Sequence, residues 1–389
     1  MRLTLPREDG SLQPYTLVNT ASPFAAFAPA RFNRVAYAAA HVVVDPLKPG
    51  DPWDGSPEMD WDATLAFREL LWRRGFKIAE AMDTAQRGMG VDWGVSKELI
   101  RRSVAHARTV PGADLACGAG TDQLAPGPGT TIADVMRAYE EQIGTVEAVG
   151  GRVILMASRA LAAATRDPDD YKRVYGELLR QCRDRVVLHW LGEMFDPGLK
   201  GYWGTDSIPA AMQTVLEIIR ANADKVEGIK ISLLDAKWEI EMRRRLPPGV
   251  LMFTGDDFSY DTLIAGDGSS HSHALLGIFD PIAPAAAAAL NALAAGDEAS
   301  YRAILAPTIP LSREIFRAPT RHYKAGVVFI AWLNGHQSHF VAAAGLQSAR
   351  SVLHYAKVFE LADHCGVLTD PALAAARMRS FLQVHGGIG

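Results

Sequence analysis

Short apolar runs alternate along the chain with longer stretches whose apolar positions recur every three to four residues. The alternation begins after Pro29 and holds to about residue 300. The runs at 35–44, 76–81, 114–117, 153–156, 186–190, 227–231, 250–254 and 273–278 predict eight strands. The stretches 61–74, 97–108, 131–149, 169–182 and 208–222 carry the helical period and predict amphipathic helices between those strands. A helix between two strands is the crossover that joins parallel neighbours. Eight such units in roughly 250 residues is the usual size of a closed TIM (β/α)8 barrel. An open doubly wound sheet is the alternative, but no GxGxxG turn follows the first strand, so the barrel is the expected α/β architecture.

The two ends have a different texture. Residues 1–33 form an N-terminal extension, in which apolar and polar positions alternate on either side of Glu8-Asp9-Gly10, the pattern of a β-hairpin. The barrel is expected over 34–300. Beyond it, 301–389 shows only helical patterns, at 301–305, 324–333, 342–361 and 371–384, and reads as a C-terminal helical layer. The alanine-rich run 284–295 is too short to span a bilayer and reads as a packing helix.

Composition narrows the partners. The net charge of −4 supplies no basic field for nucleic acid. The polar start, MRLTLPREDGSLQPYTL, lacks the apolar centre of a signal peptide, and no run is long enough for a membrane. Cys117, Cys182 and Cys365 are widely spaced and odd in number, which fits a reducing cytoplasm rather than a disulfide framework.

One residue breaks the apolar pattern. In Val226-Glu-Gly-Ile-Lys230-Ile-Ser232 a lysine stands where Ile or Val would pack better. Near the C-terminal end of a barrel strand an inward side chain faces the catalytic mouth. Apolar neighbours disfavour the charged ammonium and lower its pKa. A neutral amine can add to a ketone or aldehyde and form an imine, an electron sink for carbon–carbon or carbon–oxygen bond cleavage. The alternative for Lys230 taken alone is a structural lysine, paired with a carboxylate or snorkelling from the rim.

Gly228-Ile229-Lys230 followed by Ser232 resembles the imine-forming strand of the dihydrodipicolinate synthase and N-acetylneuraminate lyase family, lysine-dependent aldolases on a TIM barrel. Phe253-Thr-Gly-Asp256-Asp257 is similar to the seventh strand of that family, and His273-Ala-Leu-Leu-Gly277-Ile278 to its eighth. Val187-Leu-His189-Trp190 stands at the fifth, Ala116-Cys-Gly-Ala-Gly-Thr121 at the third, and the segment ending Asp83-Thr84-Ala85 at the second. The resemblance covers about residues 35–335 and marks a divergent branch. It implies a lyase, aldolase or dehydratase, in which Lys230 forms the imine and His189 moves the proton. Its substrate would be a keto acid or sugar-derived keto compound, with no cofactor beyond the covalent imine. It also implies a homo-oligomer. The substrate contacts implied are Asp83, Thr84, Thr121, Ser158, Arg159, Glu193, Asp256 and Gly277, with Asp256 ordering the rim rather than performing chemistry.

The departures from the family pattern carry chemical meaning. The family binds a carboxylate with a Gly-Thr-Thr-Gly-Glu turn. Here Thr84 keeps one hydroxyl, Ala85 lacks the second, and Asp83 adds a negative charge, which suits hydroxyls better than an anion unless Arg87 compensates. His189 replaces the tyrosine of the fifth strand; imidazole is a competent acid and base near neutrality. Ala157-Ser158-Arg159 replaces the tyrosine pair of the fourth strand, and Arg159 offers a contact for an acidic group. Two rival readings remain. His189, Glu193, His271 and His273 offer ligand types for a divalent metal in a metal-dependent aldolase or isomerase. A non-catalytic barrel that binds a small molecule is the other.

Overall fold

The structure is a computed structural model that describes residues 1–24, 26, 29–48 and 57–386. Strands β1 (Arg2–Pro6) and β2 (Leu12–Thr16) pair antiparallel as the expected hairpin, turned at Gly10 with φ 81°. Eight more strands follow: β3 (Ala36–Ala39), β4 (Lys77–Glu80), β5 (Leu115–Ala119), β6 (Arg152–Leu155), β7 (Val186–Leu191), β8 (Val226–Ser232), β9 (Leu251–Thr254) and β10 (His273–Leu276). They form a closed parallel barrel in chain order, with β10 pairing back onto β3. The fold is therefore the TIM barrel, with an N-terminal hairpin and C-terminal helices.

Alternation along the strands builds the barrel interior. Tyr37 and Ala39, Ala79, Ala116, Ile154, Val187, Phe253 and Leu275 form one buried cluster drawn from seven strands. Bulk is balanced by absence of bulk. A Cβ at Gly228 would lie 2.6 Å from the Phe253 ring and 2.5 Å from the Leu251 carbonyl, so only glycine lets Phe253 fill the centre beside β8. Arg152, the first residue of β6, closes the strand-start end. Its guanidinium donates to Tyr37 Oη at 2.7 Å and pairs with Asp114 at 2.9 Å and Glu227 at 3.2 Å.

Local signals set the helix limits. The helix expected at 97–108 starts earlier and spans Trp93–Ala107, because the Asp92 carboxylate accepts the Val95 N–H as its N-cap. Thr131 and Asp134 make a reciprocal capping box for Ile132–Ala148. Ile208–Ala221, Lys324–Leu333 and Pro371–Val384 fall where the periodicity puts them.

Two expectations need correction. The run 35–44 is not one strand, since the ladder covers only Ala36–Ala39. Beyond it the His41 N–H donates to the Asp280 carboxylate at 2.7 Å and the Val43 N–H to Thr64 Oγ1 at 3.0 Å. Side chains take the donors a neighbouring strand would need. The helix expected at 342–361 is also broken. Ala344 and Gly345 are left-handed (φ 53° and 64°), and a new helix, Val352–His364, begins where Ser351 Oγ accepts the His354 N–H.

The chain groups into two compact units assembled from non-contiguous stretches. One comprises 34–40 and 77–277 and contains all eight barrel strands; the other comprises 1–33, 41–76 and 278–389. The second unit has its own core, in which the Phe329, Phe340, Tyr355 and Phe381 rings stand 4.7–5.9 Å apart. Its hairpin is held by Asp363, which accepts Tyr15 Oη at 2.6 Å and the Val18 N–H at 2.7 Å. Among the described residues, no helix is long and apolar enough to cross a membrane.

Candidate active site

The site starts from register. Val187 pairs with Gly228, His189 with Lys230 and Leu191 with Ser232 across β7 and β8. Val187 belongs to the interior cluster, so the period of two turns His189 and Lys230 inward as well. Lys230 is the fifth of seven residues of β8, toward the end that faces the strand-to-helix loops, and is 5% exposed. Its stem runs beside Gly255, where a Cβ would lie 2.7 Å from Lys230 Cε and 2.2 Å from Ser232 Oγ. The Thr-Gly-Asp sequence after β9 thus gives the lysine its path.

No side chain among the described residues holds the Lys230 ammonium in a hydrogen bond or ion pair. Burial pushes its pKa below the ordinary 10.5, and the charges of Asp83 and Asp257 oppose that fall without cancelling it. His189 is 1% exposed. Its Nε2 lies 3.4 Å from Ser232 Oγ, and its Nδ1 has no hydrogen-bond partner among the described residues. Burial holds its pKa well below 6.5, the Lys230 charge adds to that, and Asp83 opposes it. Two nitrogen bases, each with its pKa lowered by burial, therefore stand side by side on one inner wall.

Asp83 and Thr84 belong to a 3-10 turn, Asp83–Ala85, after β4. The strand order places β4 four positions from β8, on the opposite wall. Thr84 is buried, whereas Asp83 is half-buried and its charge reaches both Lys230 and His189. Thr121 and Ser158 meet at 2.5 Å between hydroxyls. Ser158 also caps the helix Arg159–Ala164, and its N–H donates to Tyr202 Oη at 3.1 Å.

Other expected contacts separate from this group. Arg159 is half-exposed and paired with Asp196 at 2.5 Å, and Glu193 is exposed. Asp256 accepts the N–H groups of Phe258 at 2.8 Å and Ser259 at 3.1 Å, the rim-ordering role expected of it. Gly277 is buried just past β10. Arg87 does not compensate Asp83. It pairs with Asp122 at 2.6 Å, donates to the Gly118 and Ala81 carbonyls at 2.7 and 3.2 Å, and bonds Gln142.

The ligand set imagined for a metal is not assembled. His273 is the first residue of β10, with its Nδ1 accepting the Val35 N–H at 2.9 Å, and His271 precedes the strand and is exposed. These are strand-start positions, away from His189 and Glu193. Among the described residues no group of three or more His, Cys, Asp and Glu side chains is placed to hold a metal ion.

Two residues escaped the sequence reading. Asp257 is buried and its charge reaches Lys230, while its neighbour Asp256 is spent on the turn. Ser232 lies against His189 and Gly255. The period-two spacing from Lys230 was the signal for Ser232. Nothing in the sequence separated the two adjacent aspartates.

Comparison with known proteins gives a family and a fold. The family model described as "Protein of unknown function (DUF993)" matches residues 3–387. No curated protein matches the sequence. A dihydrodipicolinate synthase crystal structure superposes with a TM-score of 0.62 at 14% identity, covering 86% of this chain and 99% of that one. The Bacillus clausii dihydrodipicolinate synthase gives 0.60 at 12% identity, covering 84% and 96%. The 4-hydroxy-tetrahydrodipicolinate synthase of Methylacidiphilum fumariolicum SolV gives 0.59 at 13% identity, covering 86% and 99%. The likeness in fold to these structures thus covers the whole barrel.

Proposed function

We propose that this chain, which belongs to the DUF993 family, is an imine-forming lyase that acts on a keto compound through Lys230. One observation carries the reading: a buried lysine without an ion-pair partner stands in register with a buried histidine on the barrel's inner wall. A lysine kept for structure would be expected to have its charge matched.

The chemistry uses the two nitrogens in their unprotonated forms. The Lys230 Nζ lone pair attacks the substrate carbonyl carbon, and the carbinolamine loses water to give a protonated imine. Cleavage of the bond one carbon away sends its electron pair toward the iminium nitrogen. His189 takes the hydroxyl proton of the departing carbonyl fragment as a general base, directly or through water. Protonation of the enamine carbon and hydrolysis of the imine restore Lys230. Loss of a hydroxyl in place of the carbon fragment would make the reaction a dehydration, and both pass through the same imine. Thr84, Thr121 and Ser158 would contact substrate hydroxyls. The three cysteines, all buried and unpaired, favour a cytoplasmic setting, and a homo-oligomer is the assembly the resemblance implies.

The test is borohydride reduction with a panel of keto acids and keto sugars, followed by peptide mass mapping. The expected product is a reduced adduct on the peptide containing Lys230 that is absent from Lys230→Ala. An adduct that persists in that variant would remove the mechanism.

A further inference from the structure

The turn that faces Lys230 across the barrel mouth is built unlike an anion cradle. Two of its backbone donors are consumed locally: the Ala85 N–H donates to the Met82 carbonyl at 3.1 Å and the Gln86 N–H to the Asp83 carbonyl at 2.9 Å. Ala85 brings no hydroxyl and is fully buried. The Arg87 guanidinium is committed to Asp122, Gln142 and two carbonyls. On the rim, Arg159 is paired with Asp196. The charges that do reach the amine are negative, Asp83 from the turn after β4 and Asp257 from the segment after β9. The buried Nδ1 of His189, which has no hydrogen-bond partner among the described residues, is left for a ligand to meet.

We infer that the compound Lys230 condenses with is an uncharged polyhydroxy ketone rather than a 2-oxo acid, with Asp83 and Asp257 accepting hydrogen bonds from its hydroxyls. The inference rests on the imine reading above and names its substrate class. Charge balance in the intermediate supports it. When a 2-oxo acid forms a protonated imine, its own carboxylate offsets the new positive charge. A neutral ketone brings no such anion, so the protein must supply one, and Asp83 and Asp257 do so from the segments after β4 and β9, three strands apart in the ring. A substrate carboxylate would instead meet two like charges, with Arg87 and Arg159 already paired to Asp122 and Asp196. Carboxylates are acceptor-only groups with room for several hydroxyl donors, which is the recognition a polyol needs.

The experiment pits dihydroxyacetone against pyruvate in one borohydride reaction, with the two adduct masses on the Lys230 peptide read from the same digest. The wild-type chain is expected to favour the dihydroxyacetone adduct by at least about tenfold, the scale of one unfavourable like-charge contact. Asp83→Asn is expected to lower that ratio about tenfold or more by relieving the repulsion of pyruvate. Because the readout is a ratio within one sample, a reduced folded fraction does not change it. A predominant pyruvate adduct in wild type, or a ratio unmoved by Asp83→Asn, overturns the substrate class and leaves Lys230 as imine former. No adduct with either compound removes the imine reading itself and the inference with it.

Discussion

Two buried cations in the same barrel are treated in opposite ways. Arg87 has its side chain 2% exposed and every direction of its guanidinium answered, by Asp122, Gln142 and the Ala81 and Gly118 carbonyls. Lys230 is 5% exposed and answered by no hydrogen bond among the described residues. Burial works to raise the Asp122 pKa, but the Arg87 charge and hydrogen bonds outweigh it and hold the carboxyl ionised. At Lys230 burial prevails and the pKa falls. A matched cation ties two loops together, whereas an unmatched one is shifted toward its neutral, reactive form.

Exchanging each for methionine should separate the two roles most sharply. Lys230→Met should abolish borohydride trapping completely and leave the fold at least as stable. The sign follows from linkage. A lysine whose folded pKa lies below 10.5 gives its full stability only above that value and loses it as pH falls through the folded pKa, so at neutral pH the amine weakens the fold. Arg87→Met should do the reverse. It strands the Asp122 carboxylate and should cost on the order of 3 kcal/mol in urea unfolding. Equal loss of stability in both variants would end the distinction.

His189→Gln sharpens the comparison from the neighbouring strand. It keeps polarity and rough volume but removes the proton acceptor, so turnover should fall by ~10²–10⁴ while Lys230 still traps a ketone. Loss of trapping together with turnover would show that His189 shapes the pocket instead of moving the proton.

Much of this was legible in the sequence, for physical reasons. Strands buried on both faces appear as short apolar runs, and a charged residue inside one, such as Lys230, is conspicuous because it violates the pattern. The barrel and the Lys230–His189 pair were therefore readable. Side-chain direction off the strands was not. Asp83 and Arg87 are four residues apart, yet one faces the amine and the other turns to Asp122. Asp256 and Asp257 are adjacent, yet only the first is taken by the Phe258 and Ser259 N–H groups. Glu193 has the right chemistry and the right loop but is exposed. Turn geometry decides such cases, and composition does not encode it. At the left-handed break the one warning in the sequence was Gly345, a residue that takes positive φ without strain inside an otherwise alanine-rich stretch.

A subtler break of the Lys230 side comes from its path rather than its chemistry. In Gly255→Ala the new methyl would meet Ser232 Oγ at 2.2 Å, the Ile231 carbonyl at 2.7 Å and Lys230 Cε at 2.7 Å. One obstacle is backbone, so the lysine must move. Stability should drop by ~1–3 kcal/mol. The trapping rate should fall up to ~10²-fold, as expected for a displacement of about 1 Å at the reacting atom. Unchanged trapping would mean that the amine's position is not set by that glycine.

The smallest expected effect concerns a third buried ionisable group that belongs with neither cation. Glu239 is 1% exposed, accepts Ser272 Oγ at 2.6 Å, and has its pKa raised to about 8 by burial, against opposing bonds from Ser272 and Thr254. It is a carboxyl kept neutral, the acidic counterpart of Lys230, but carried by the helix Ala236–Arg245 rather than by a barrel strand. A raised carboxyl gives its full stability below 4.5 and loses it as pH rises through about 8. Glu239→Gln should therefore come close to wild type near pH 5 and exceed it near pH 9 in urea unfolding, flattening the stability profile. Trapping at Lys230 should be unaffected. If it changes instead, burial without an ion-pair partner does not by itself distinguish a reactive group from a structural one, and the contrast between Lys230 and Arg87 must rest on their positions in the barrel.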